Sequence, residues 1–284
     1  MEIKRIMVIG AGQMGSGIAQ TAALAGFQTV LHDISFEFAN KGLNTIKKSL
    51  SKFLEKGKIT AEDMEATLGR LQLSDNLENA KNCDIIIEAA SEKMEIKSQI
   101  FRTLDEVAPA HAILASNTSS LPITELAACT KRPTQVIGMH FMNPVPLMKL
   151  VEIIRGLATS DEVYQVIEDL AKQMGKVPVA VNDVPGFVSN RISQVMINEA
   201  IWCLYEGVGN PEGIDTIMKL GFNHPMGPLA LADLIGLDTV LSILEIMHEG
   251  YGDPRYRPCP LLRKYVKAGW LGRKSGRGFY NYEG

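Results

Sequence analysis

Near the start of the chain a short run, Arg5–Ile9, leads into glycines at 10, 12 and 15, in the order Gly10-Ala11-Gly12-Gln13-Met14-Gly15. The segment Ser16 to Ala25 that follows reads as a helix. This order of strand, glycine turn and helix constrains the fold more than any other feature. Gly10 permits the turn, Gly12 lets an anionic group approach the backbone, and Gly15 lets helix and strand pack closely. The positive amino end of the helix then faces phosphate groups. Glycine-rich turns are common, and the same residues also suit a plain strand-to-helix connection, so the residues downstream have to decide.

The next apolar run, Thr29–His32, ends in Asp33, 23 residues beyond Gly10. An acid at that spacing accepts hydrogen bonds from ribose hydroxyls and repels a 2′-phosphate. No arginine follows it to welcome such a phosphate. The ordered set Gly10, Gly12, Gln13, Met14, Gly15 and Asp33 therefore points to a bound dinucleotide, and to NAD over NADP. Further runs at Asp84–Ile87, Ala112–Ala115 and Val136–Met139 alternate with amphipathic stretches, which implies a parallel sheet with helices on both faces. Lys149–Ile154 and Val177–Val181 read as additional strands. Pro and Gly punctuate the chain at Asp183-Val184-Pro185-Gly186. Beyond them only helices are expected, over about 187–206, 212–220, 229–249 and 261–267. The expected fold is thus a Rossmann-type doubly wound α/β domain over 1–183, then an all-helical domain over 184–284. Small helical domains often bury apolar faces against a second copy, so a homodimer through the helical domain is plausible on this pattern.

Composition removes several function classes. With a net charge of only -3, the chain has no electrostatic reason to take nucleic acid or an anionic membrane as a partner. Cysteines 83, 129, 203 and 259 form no C-x-x-C pair and have no His cluster beside them, which argues against a metal site and for four reduced thiols. The amino-terminal residues run straight into a strand, without a signal or transit pattern, and no apolar run has membrane-spanning length. The expected location is the cytoplasm.

Oxidation of an alcohol by a dinucleotide needs a base, and histidine suits it, with an unperturbed pKa of about 6.5. Five histidines are available. His32 lies in a strand, His111 precedes one, and His224 and His248 fall in the helical half. His140 ends a strand, in Gly138-Met139-His140-Phe141-Met142-Asn143-Pro144, and ligands in open α/β sheets collect beyond the carboxyl ends of strands. That placement suits a base, and it equally suits a satisfied structural histidine. Glu152 interrupts the apolar run Leu150-Val151-Glu152-Ile153-Ile154. It reads either as a residue on a solvated strand face or as a carboxylate that orients the imidazole. Ser116-Asn117-Thr118-Ser119-Ser120 follows another strand and reads either as a turn with a helix cap or as polar groups facing a ligand.

The segments VIGAGQMGSGIAQ, SNTSSLPI, GMHFMNPVPLMKLVEII, DVPGFVSNRI, KLGFNHPMGPLALADLIGLD and GRKSGRGFYNY occur in this order, and with them the whole chain resembles the 3-hydroxyacyl-CoA dehydrogenase family. The resemblance is nearest to the short bacterial members that act on 3-hydroxybutyryl-CoA and acetoacetyl-CoA. It implies His140 as catalytic base, Glu152 as its partner, Ser119 on the substrate's 3-oxygen, and Asn190 completing the site from the second domain. It implies cofactor contacts at Glu92, Lys97, Asn117, Asn143 and Lys274, and the (S) stereoisomer. Two other readings stand beside it. One is a dehydrogenase of a free hydroxy acid or sugar acid with the same plan. The other is a non-catalytic structural or redox-sensing protein on this fold.

One segment lies outside those motifs. Phe36 to Lys56 has helical periodicity, with Phe36, Ala39, Leu43, Ile46, Leu50 and Phe53 as its expected buried stripe. Ser49, Lys52 and Lys56 share another face. A solvated basic face is the plain reading; the resemblance assigns these three residues to the CoA portion of the substrate.

Overall fold

The computed structural model describes residues 2–282, which form two compact units dividing between Asp183 and Val184. The first begins with β1 (Arg5–Ile9), α1 (Gln13–Leu24), β2 (Gln28–His32), α2 (Phe36–Glu55), α3 (Ala61–Gly69) and β3 (Leu71–Ser74). It continues with β4 (Ile85–Glu88), α4 (Met94–Val107), β5 (Ile113–Ser116), α5 (Ile123–Ala128) and β6 (Val136–Phe141). β7 (Leu150–Arg155), α6 (Asp161–Gln173) and β8 (Val177–Asn182) complete it. All eight strands join one sheet in the order β3-β2-β1-β4-β5-β6-β7-β8. The order reverses direction at β1, so the crevice beyond the carboxyl ends of β1 and β4 is the topological switch point, the place where such sheets take ligands.

β1, β4, β5 and β6 are almost wholly buried, which explains their continuous rather than alternating apolar character. The expectation of a uniformly parallel sheet is corrected at one place. β6 and β7 pair antiparallel, while every other neighbouring pair is parallel. The eight residues between β6 and β7 hold no helix, and a loop that short returns the chain antiparallel rather than through a crossover.

α2 follows its periodicity with one correction. Ala39, Gly42, Ile46 and Leu50 are buried, but Phe36 is 55% exposed, because the buried stripe starts only after the first turn. Ser35 caps that first turn through its side chain.

The second unit contains α7 (Ser189–Tyr205), α8 (Pro211–Gly221), α9 (Pro228–Ile235), α10 (Leu237–Tyr251) and α11 (Pro260–Lys267) around its own apolar core. The single helix expected over 229–249 is two helices. Gly236, with φ of 101°, breaks them apart, a conformation that side-chain-bearing residues rarely adopt. Two buried carboxylates hold this unit's connections. Asp215 accepts from the N–H groups of Leu229 and Ala230 at the start of α9. Asp233 accepts from those of Phe279 and Tyr280.

Candidate active site

The glycine turn is built from backbone contacts. Gly10 adopts φ of 96° and donates its N–H to the His32 carbonyl oxygen. A Cβ at Gly15 would fall 1.7 Å from the Gly10 oxygen, so only glycine allows α1 to begin this close to β1. At Gly12 the opposite holds, for an added Cβ would meet nothing within 4 Å. Among the described residues no side chain caps α1, and no acid stands in its first turn. The amino end of the helix is thus an open, positively polarised cradle of the kind that receives phosphate.

Asp33 stands beside that cradle. Its Oδ2 accepts the Ala11 N–H at 2.7 Å and its Oδ1 accepts the Ile34 N–H at 2.7 Å. A carboxylate has lone pairs left for ribose hydroxyls after two such bonds. A cleft of about 430 Å³ opens here, lined by Gly10, Gly12, Asp33, Ile34, Ala90 and Ile96 among others. A dinucleotide fits these residues. Gln13 and Met14 form the first helical positions, and the Gln13 amide donates to Asn143 Oδ1 at 3.0 Å.

At the end of β6 the antiparallel register sets His140 directly opposite Glu152. His140 Nδ1 lies 2.8 Å from Glu152 Oε2, and both residues are buried. An ionised carboxylate can only accept, so Nδ1 carries the proton and the ring's lone pair is on Nε2. The solvated-face reading of Glu152 is thereby removed. The other histidines are placed differently. Burial in β2 lowers the pKa of His32, against the opposing influence of Asp33 and Asp75. His111 pairs with Asp84 at the surface, and His224 and His248 belong to the second unit.

The polar segment after β5 is wound around a carboxylate. Glu92 Oε1 accepts from Thr118 Oγ1 at 2.6 Å, Ser119 N at 2.7 Å, and Ser120 N and Oγ at 3.1 Å. Burial alone would raise the pKa of Glu92, but the Lys97 ammonium and these donors outweigh it and hold it below its ordinary value. Lys97 is buried to 1% exposure and donates to both oxygens of Glu88, at 2.7 and 2.9 Å. It also approaches Glu92 Oε2 at 3.3 Å. Asn117 is buried too, its N–H donating to the Glu88 carbonyl and its Oδ1 accepting the Phe141 N–H. Sequence reasoning missed Glu88, an acid closing the apolar strand Ile85–Glu88; a charge at the carboxyl end of a central strand was the available signal.

Asn190 lies in the first turn of α7, and Lys274 in the second unit forms an ion pair with Asp238. Ser49 is half-buried on α2, with Lys52 and Lys56 exposed on the same side. Among the described residues no group of three or more His, Cys, Asp or Glu is placed to hold a metal ion, and no helix is long and apolar enough to cross a membrane.

Residues 5–184 match the family model described as "3-hydroxyacyl-CoA dehydrogenase, NAD binding domain", and residues 186–282 match "3-hydroxyacyl-CoA dehydrogenase, C-terminal domain". The chain belongs to the 3-hydroxyacyl-CoA dehydrogenase family. Within that family it is 65% identical over 283 residues to a probable 3-hydroxybutyryl-CoA dehydrogenase of Bacillus subtilis, covering 100% of this chain and 99% of that one. It is 54% identical over 282 residues to a 3-hydroxybutyryl-CoA dehydrogenase of Bradyrhizobium diazoefficiens, covering 99% and 96%. The crystal structure of (S)-3-hydroxybutyryl-CoA dehydrogenase PaaH1 from Ralstonia eutropha superposes with a TM-score of 0.97 at 49% identity, covering 100% of both chains. As a family member the chain is an oxidoreductase whose amino-terminal unit is an NAD-binding domain.

Two glycine substitutions separate folding from cofactor binding. Gly15→Ala should lower unfolding free energy by more than about 3 kcal/mol in urea denaturation, since helix and strand must move apart. Gly12→Ala should change stability by less than about 1 kcal/mol. Its methyl group projects into the phosphate cradle, however, and NADH affinity measured by fluorescence titration should fall by roughly 10-fold or more.

Proposed function

We propose that this enzyme interconverts (S)-3-hydroxybutyryl-CoA and acetoacetyl-CoA with NAD. The observation that carries the reading is the buried His140–Glu152 pair at the carboxyl end of β6. NAD, when bound, supplies the acceptor for the hydrogen leaving C3. Its adenosine ribose is held by Asp33 and its phosphates by the turn from Gly10 to Gly15. His140 Nε2 takes the proton of the 3-hydroxyl in oxidation and returns it to the ketone oxygen in reduction. Glu152 keeps the ring in the tautomer that can do this and offsets the charge of the imidazolium. Ser119 positions the substrate oxygen. The family resemblance adds Asn190 to that role, and Asn143 and Lys274 to the cofactor's contacts. The names of the relatives support the four-carbon acyl group. The fixed acid–base pair favours an enzyme over a structural or redox-sensing protein, and the CoA-site lysines below favour a thioester substrate over a free hydroxy acid or sugar acid.

Ser49, Lys52 and Lys56 on α2 bind the CoA portion, the two ammonium groups pairing with its phosphates as exposed, salt-screened charges. The helical unit carries the contact of a homodimer. Its exposed apolar residues support this, chiefly Leu220 at 82%, with Val208, Ile217 and Phe222. The enzyme works in the cytoplasm, where its cysteines stay reduced; burial pushes the Cys83 thiol up to about 11, which makes it unreactive.

NADH oxidation with acetoacetyl-CoA tests the whole reading. His140→Ala should lower kcat by roughly 10²–10⁴-fold while NADH affinity hardly moves. Near-normal turnover in that variant would remove the base, and absence of turnover in the wild type would remove the substrate. Lys52→Ala with Lys56→Ala should raise KM for acetoacetyl-CoA more than it lowers kcat, and the effect should shrink as salt rises. An unchanged KM at low salt places CoA elsewhere. Light scattering should give twice the monomer mass, and Leu220→Glu with Phe222→Ser should halve it.

A further inference from the structure

The buried ionic cluster at the ends of β4 and β5 has no part in the proton transfer, yet it lies directly under the segment that carries Ser119. Glu88 is fully buried and bound on all sides: by Lys97, by the Ala90 N–H at 2.6 Å, and by Ser116 Oγ at 2.6 Å. One ammonium thus stands between two carboxylates. Glu88 fixes Lys97, Lys97 fixes Oε2 of Glu92, and the other oxygen of Glu92 gathers four donors from Thr118, Ser119 and Ser120. Thr118 Oγ1 tightens the loop further by accepting from Ser120 N and Leu121 N. A backbone segment whose consecutive N–H groups close on one anion has little freedom left, and charge-assisted bonds of this length are the strong ones.

We propose that Glu92 is a positioning residue that presents Ser119 to the substrate, and that Glu88 acts on the same loop through Lys97. The Ser119 half of the proposal rests on the substrate reading above; the loop half does not. Glu92→Gln keeps the shape but loses the charge, so one face of the amide meets either Lys97 or the loop donors with the wrong polarity. Its side chain is 36% exposed, which protects folding in the variant.

The test uses Glu92→Gln and Glu88→Gln, each alone and combined with Ser119→Ala. In protein without NADH, amide hydrogen exchange across 117–121 should quicken by roughly 10-fold or more in both single variants, with exchange across 211–221 unchanged. With acetoacetyl-CoA, Glu92→Gln should lower kcat by roughly 10-fold, the scale of one charge-assisted hydrogen bond. Combined with Ser119→Ala it should add less than about 2-fold, because both changes remove the same interaction. The exchange measured without NADH separates the hold on the loop from the cofactor contacts that the family resemblance gives Glu92 and Lys97. Unchanged loop exchange, multiplying losses in the double variant, or a defect confined to NADH affinity would each overturn the proposal. If Ser119→Ala keeps wild-type kcat, the substrate role of Ser119 falls, and the exchange result alone then judges whether the cluster holds the loop. Should Glu88→Gln not fold, Glu92→Gln decides.

Discussion

The antiparallel turn-back between β6 and β7 is the constraint that brings His140 and Glu152 together. Every strand from β1 to β6 delivers its carboxyl end to one edge of the sheet. A parallel β7 would begin at the opposite edge, and its third residue would lie far from that rim. By returning antiparallel, β7 enters from the ligand edge itself, and its third residue, Glu152, falls opposite the fifth residue of β6, His140. The ladder between the two strands therefore sets the spacing of His140 and Glu152 with main-chain hydrogen bonds, and neither side chain depends on a mobile loop for its place.

The neighbouring strand ends are organised on a different plan. β4 and β5 end in Glu88 and Ser116, which bond to one another, and Glu88 also accepts from Lys97. A buried ion pair returns little net stability after desolvation, and packed apolar residues of equal volume often do as well. Its distinctive property is direction: charged groups in a low-dielectric interior tolerate few arrangements. Apolar packing alone could keep β4 and β5 together but could not fix the orientation of the peptide groups that follow them.

Much of this was legible in the sequence where the determinants are local. The turn from Gly10 to Gly15 and the acid at Asp33 depend on residues that are close in the chain, and the strand–turn–helix order announces itself there. His140 and Glu152 were each visible as polar residues in apolar runs, but their pairing required the direction of β7, which no single run encodes. Lys97 was legible only through resemblance to a family, because its burial is imposed by Glu88 from another strand. A lysine four residues into an amphipathic helix otherwise reads as solvent-facing. Gly236 was lost inside an apolar stretch whose helical period continues across the break, and Phe36 satisfied the periodicity of α2 while standing beyond the edge of what α2 packs against. The short β3, Leu71–Ser74, lacks a continuous apolar run because only its last residue is buried.

Asp33, proposed above to take the ribose, also has a place in the frame of the turn. The oxygen that takes the Ala11 N–H makes the carboxylate a strut for the phosphate turn as well, so recognition of the sugar and the shape of the turn share one side chain. Dehydrogenases are often re-targeted from NAD to NADP by exchanging the acid after the second strand for a neutral residue with a cation nearby. In this chain that exchange also removes the acceptor of the Ala11 N–H. A redesign that admits the extra phosphate must also give the Ala11 amide a new acceptor, or the gain at the ribose is offset by a slackened grip on the pyrophosphate. On the proposed reading, cofactor preference is therefore buffered against single substitutions, since the first step away from NAD also loosens the turn that either dinucleotide needs.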